Sequence, residues 1–85
     1  MEKSLFSNDY AVLLREVRNA RKSAGVTQQQ LASSLKTTQS VVSKCERGER
    51  RLDVVELRSW CRALRVPFAN FMIRFEKATD KRGTR

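Results

Sequence analysis

Hydrogen-bonding side chains crowd into one stretch of this 85-residue chain, Thr27 to Gly48, TQQQLASSLKTTQSVVSKCERG. Within it Gln39, Ser40, Ser43 and Lys44 offer amide, hydroxyl and ammonium groups at helical spacing. Such groups donate and accept hydrogen bonds, but they do not make a catalytic set. The chain has no histidine, which removes the commonest general base near neutral pH. No nucleophile–base pair and no phosphate-cradling glycine loop takes its place. Two cysteines, Cys45 and Cys61, are too few for a disulfide framework, and without histidine they make no zinc site. The chemistry is therefore recognition without a metal or cofactor, and an enzyme is not expected.

The elements that must position these groups read as helices throughout. One proline and three glycines punctuate the chain, and no strand-like alternation persists. The first helix is expected to start after Ser7 or Asn8, with Tyr10, Leu13, Leu14, Val17, Ala20 and Ala24 on its buried face and Gly25 ending it. Thr27 and Gln30 fit a capping box for a second, short helix with Leu31, Ala32 and Leu35 inward. Lys36-Thr37 makes a tight turn. Thr38 caps a third helix from Gln39 to about Arg47, with Val42 and Cys45 inward and Gly48 as its stop. Asp53 caps a fourth, whose inner stripe is Val54, Leu57, Trp60, Cys61 and Leu64. Pro67 opens a fifth with Phe68, Phe71, Met72 and Phe75 at offsets 0, 3, 4 and 7. Residues 1–75 are expected to form one domain, and residues 76–85 a basic, flexible tail with no apolar anchor.

Charge narrows the partner. Eighteen Lys+Arg against nine Asp+Glu leave a formal net charge of +9, and a small basic domain usually meets a polyanion. No apolar run is long enough to cross a bilayer and no signal-peptide core opens the chain, so a cytoplasmic location without membrane contact is expected. The second and third helices, each with its own threonine cap, make a rigid pair that presents the third by its N-terminal turn. A B-form major groove admits one helix, and Gln39, Ser40, Ser43 and Lys44 supply groups that match base edges.

On these residues the chain resembles the phage-repressor and Cro-like helix-turn-helix family of DNA-binding regulators, from about Leu13 to Phe71. The resemblance rests on Thr27-Gln28, Leu31-Ala32, Leu35, Thr38-Gln39-Ser40, Val42-Ser43-Lys44 and Glu46-Arg47-Gly48, and continues through Leu57, Ala63-Leu64 and Val66. It implies an all-α, five-helix, lambda-repressor-like fold. Two departures stand out: Lys36 occupies the turn position where the family usually has glycine, and Cys45 replaces a larger aliphatic residue.

The resemblance also implies roles. Gln39 and Ser40 match the positions that most often touch bases, with Ser43 and Lys44 one turn further on. Gln28 matches a position that binds a phosphate and buttresses the first recognition glutamine. Thr27, Thr37, Thr38, Arg50 and Arg51 are the other phosphate candidates. Arg21 and Glu46 match a structural ion pair between the first and third helices. Both cysteines read as small core residues.

The stripe Phe68, Phe71, Met72 and Phe75, with Ile73 beside it, is larger than one short terminal helix needs. It is expected to serve a homodimer interface, with Phe68 and Phe71 inward, Met72 and Phe75 toward the partner, and Leu5 and Phe6 extending the patch. A two-fold dimer on double-stranded DNA requires a near-palindromic operator. Two other readings share these features. One is an antitoxin-type interaction module that binds a toxin and represses its own operon. The other is a non-specific or RNA-binding basic protein, whose binding would depend steeply on salt.

Overall fold

The computed structural model describes residues 8–80, and the expectations for Leu5, Phe6 and Ser7 lie outside the described residues. Five helices follow one another: α1 (Asn8–Ser23), α2 (Gln28–Leu35), α3 (Gln39–Glu46), α4 (Val54–Ala63) and α5 (Phe68–Asp80). No strand occurs among the described residues.

Local chemistry sets the helix starts. Thr27 Oγ1 accepts the Gln30 amide at 3.0 Å while Gln30 Oε1 accepts the Thr27 amide at 2.9 Å. Asp53 and Glu56 repeat the reciprocal box at 2.8 and 3.0 Å. Thr38 Oγ1 accepts the Val41 amide at 3.2 Å. Each such cap stabilises its helix by about 1 kcal/mol.

The first four helices end alike. A left-handed residue closes each one: Gly25 (φ 72°), Lys36 (φ 59°), Gly48 (φ 81°) and Arg65 (φ 62°). The next amide then reaches back to a last-turn carbonyl: Val26 to Arg21, Thr37 to Ala32, Glu49 to Lys44 and Val66 to Cys61. This pattern satisfies carbonyls that the helix itself leaves open. At Lys36 and Arg65 a side chain with a Cβ adopts the conformation that glycine takes freely, at a steric cost.

The core gathers residues from every helix. Val17, Leu31, Val42, Cys45 and Phe71 are almost wholly enclosed, and Trp60, Leu57, Cys61 and Leu64 complete the cluster. α2 packs on α3 and α4, while α1 packs on α3 and α5. The helix-turn-helix is thereby seated on a three-helix base.

Several expectations need correction. Ala24 is exposed, because α1 has already ended and the chain is turning through Gly25. Val54 is 63% exposed; it occupies the first turn of α4, and the inward stripe begins only at Leu57. Phe71 is 1% exposed and forms part of the core. It therefore cannot serve an interface, since its offset on α5 points it into the space between the helices. Phe68 and Met72 also pack partly against that core, so the stripe first closes the monomer. α5 continues to Asp80, past Glu76 where a loose tail was expected. Glu76, Lys77 and Ala78 favour helix, and Thr79 Oγ1 donates to the Phe75 and Glu76 carbonyls at 3.1 and 2.9 Å.

Candidate nucleic-acid interface

Helix α3 projects its first turn from the body, with Gln39 and Ser40 exposed and Lys44 exposed one turn on. Inward, Val42 and Cys45 anchor the helix, and Val41 packs partly on the same core. The helix is thus fixed along its inner side while its polar side stays open.

A chain of hydrogen bonds then fixes the leading glutamine. Gln39 Nε2 donates to Gln28 Oε1 at 3.3 Å. Gln28 Nε2 donates to Glu46 Oε1 at 3.0 Å. Glu46 also accepts Arg21 Nε at 2.6 Å and Arg21 Nη2 at 3.0 Å, a fork-shaped ion pair. Arg21 Nη1 continues to the Val26 carbonyl at 3.0 Å, and Arg18 Nη1 holds the Glu46 carbonyl at 3.2 Å. One continuous path therefore runs from α1 through the end of α3 to the start of α2 and out to the exposed amide.

Glu46 is only 3% exposed. Burial alone would raise its carboxyl pKa, but the bonds from Arg21 and Gln28 and the charges of Arg21 and Arg18 outweigh it and hold the group below its ordinary value. The Glu46 carboxyl therefore stays ionised at neutral pH. Burial pushes the Cys45 and Cys61 thiols up, so both sulfurs keep their protons there and act as packing groups.

The remaining side chains stand around this centre. Thr27 and Thr38 accept helix amides through their hydroxyl oxygens and keep an O–H to donate. Thr37 is exposed at the turn before α3. Ser43 is half-buried and accepts a hydrogen bond from Arg47 Nη1. Arg47 in turn grips Glu49 with two bonds of 2.9 and 3.1 Å. Sequence reading assigned no role to Arg47, although its spacing from Ser40 and Ser43 already places it on their face. Arg50 bonds Glu56 Oε2 at 3.1 Å and Cys45 Sγ at 3.6 Å. Arg51 stacks on the Tyr10 ring, 4.3 Å from its centroid.

Residues 17–71 match the family model described as helix-turn-helix. The chain belongs to the helix-turn-helix family of phage-repressor and Cro type.

Solved structures of this helix-turn-helix group agree. An XRE-family like protein from Pseudomonas syringae is 41% identical, with 84% of this chain and 87% of that one covered and a TM-score of 0.79. The clp gene regulator ClgR from Corynebacterium glutamicum matches in two structures. One is 25% identical over 91% of this chain and 82% of that one, TM-score 0.76. The other is 27% identical over 91% and 95%, TM-score 0.72. No curated protein matches the chain. This helix-turn-helix protein is a DNA-binding transcriptional regulator of a family that is generally non-enzymatic. Among its described residues no helix is long and apolar enough to cross a membrane, and no group of three or more His, Cys, Asp or Glu is placed to hold a metal ion.

Proposed function

We propose that the protein reads a near-palindromic operator as a homodimer, laying α3 in the major groove of each half-site. Gln39, Ser40, Ser43 and Lys44 meet base edges. Thr27, Gln28, Thr37, Thr38, Arg50 and Arg51 line the flanking phosphates. The observation that carries this reading is the path Arg21–Glu46–Gln28–Gln39, which holds a reading amide at the exposed start of a helix before any ligand arrives. Glutamine pairs through both its donor and its acceptor with adenine, and a prepositioned side chain loses less entropy on doing so. Dimerisation is supported by apolar surface that α5 leaves uncovered: Met72 and Phe75 on its stripe are only half-buried, and Ile73, next to Met72 and turned away from the stripe, is 55% exposed. Selection of bound duplexes from a random library at roughly 150 mM salt tests the whole reading. Enrichment of a palindrome with half-sites about 10 base pairs apart is the expected result. Binding without enrichment that vanishes as salt rises would overturn it.

A further inference from the structure

Arg47 closes α3 one turn beyond Ser43, so the two side chains share a face of the helix. Left-handed Gly48 then turns the chain back, and the Glu49 amide donates to the Lys44 carbonyl at 2.8 Å. That closure holds Glu49 against the last turn of α3, within reach of Arg47. The Glu49 carboxylate accepts Arg47 Nε at 2.9 Å and Nη2 at 3.1 Å, while Nη1 of the same guanidinium donates to Ser43 Oγ. Every nitrogen of the guanidinium is thus engaged, on one side by an anion and on the other by a hydroxyl of the reading face. The hydrogen bonds and charge of Arg47 hold the Glu49 carboxyl below its ordinary pKa, so it stays ionised at neutral pH.

An exposed ion pair adds little stability. The consequence here is geometric, because a two-bonded fork fixes the direction of the guanidinium. A serine hydroxyl has one proton to donate and two lone pairs to accept with, and it rotates to suit its partner. Left to itself it meets base donors and acceptors alike. A guanidinium bonded to Oγ fills one lone pair and turns the hydroxyl proton away from itself. Its positive charge also favours electron-rich base edges over amino groups. In the major groove guanine, adenine and thymine each present an acceptor, whereas cytosine presents its amino donor.

We propose that Arg47 and Glu49 are positioning residues for base reading: Glu49 holds Arg47 on Ser43, and Arg47 commits the Ser43 hydroxyl to donating, so that Ser43 selects a base with a major-groove acceptor and rejects cytosine. This rests on the DNA-reading function above, with Ser43 as a base contact.

The test repeats the duplex selection with the wild-type chain, Ser43→Ala, the Arg47→Ala/Glu49→Ala double variant and the triple variant. The double variant removes the clasp and leaves the net charge unchanged. Circular dichroism melts check that each variant folds, and fluorescence anisotropy across a salt series measures affinity for the selected duplex and an unrelated one. The base pair at which Ser43→Ala relaxes preference is the one Ser43 reads. There the wild type should reject one orientation of the G·C pair, the one that sets cytosine against Ser43. The double variant should relax the same base pair, lowering that discrimination about fivefold, toward the low end of what a base-edge contact supplies. Its affinity for the unrelated duplex and its salt slope should match wild type, since no phosphate contact is lost. The triple variant should relax no further than Ser43→Ala. Relaxation at a different base pair, a uniform loss across duplexes, or equal acceptance of both G·C orientations by the wild type would overturn the positioning role. No relaxation in Ser43→Ala would overturn it too, by removing Ser43 from the reading set. A wild-type chain that enriches no sequence would instead refute the DNA-reading function itself.

Discussion

Removing the Glu46 carboxylate is the most searching perturbation of this molecule. The group accepts two bonds from Arg21 and one from Gln28 in a site shielded from water. In Glu46→Ala the Arg21 guanidinium stays enclosed, with its side chain 11% exposed and no anion opposite. Breaking one side of a buried pair costs about 3–5 kcal/mol. For a domain of this size each kcal/mol lowers the melting temperature by about 4–8 °C, so a fall of at least about 12 °C is expected. Replacing both partners, as in Arg21→Met/Glu46→Leu, removes the stranded charge and should recover most of that stability. DNA affinity should not recover, because Gln28 still lacks its acceptor and Gln39 loses the support behind it. Thermal melts followed by circular dichroism and anisotropy titrations on the selected duplex read the two properties separately. A loss below about 1 kcal/mol in the single variant, or a double variant as unstable as the single one, would refute the assignment of a strong buried pair.

Acid should act on the same group. Its folded-state pKa lies below the ordinary value of 4.5, so its contribution to stability is complete above that pH and disappears as pH falls through the folded value. Melting temperature should therefore drop with acidification below about 4.5, and the double variant should show a flatter profile there. Lys36→Gly should raise stability by about 0.5–1 kcal/mol, the relief of left-handed strain exceeding glycine's extra chain entropy. Gly25→Ala should lower it by about 1 kcal/mol through backbone strain alone, since an added Cβ there meets nothing within 4 Å; unchanged melting temperatures in both would refute the strain account. Gln39→Ala should cost about 1–3 kcal/mol at the selected site and relax preference at one or two base pairs, read by repeating the selection. Ile73→Glu should shift the assembly toward monomer in sedimentation equilibrium, and an unchanged mass would remove the Ile73 side of α5 from the interface.

How much was legible beforehand follows the range of each interaction. Thr27, Thr38 and Asp53 announce helix starts because a cap acts within three residues, and those starts appear where expected. The inward positions Leu31, Val42, Cys45 and Trp60 follow from periodicity and are buried. The end of α5 was misplaced because Thr79 bonds backbone rather than supplying an apolar signal. Left-handed Lys36 was marked only by the resemblance, which has glycine at that turn, and left-handed Arg65 carries no local mark, since only the neighbouring carbonyls reveal its closure. Phe71 could be placed on one stripe, but its depth depends on how α5 meets α1 and α4. The Tyr10–Arg51 stack joins distant segments and leaves no periodic trace.

The bond between Gln39 and Gln28 has a consequence for anyone who would retarget this protein. Gln28 turns its Oε1 toward the reading position, so whatever replaces Gln39 meets a ready-made acceptor. A library varied at Gln39 alone is therefore screened twice, once by the operator and once by its neighbour, and side chains without a donor are penalised before DNA is encountered. With Gln39 as the proposed base contact, positions 28 and 39 act as one letter of the code and need to be randomised together. Ser40 and Lys44, exposed and outside that bonded path, can be varied singly.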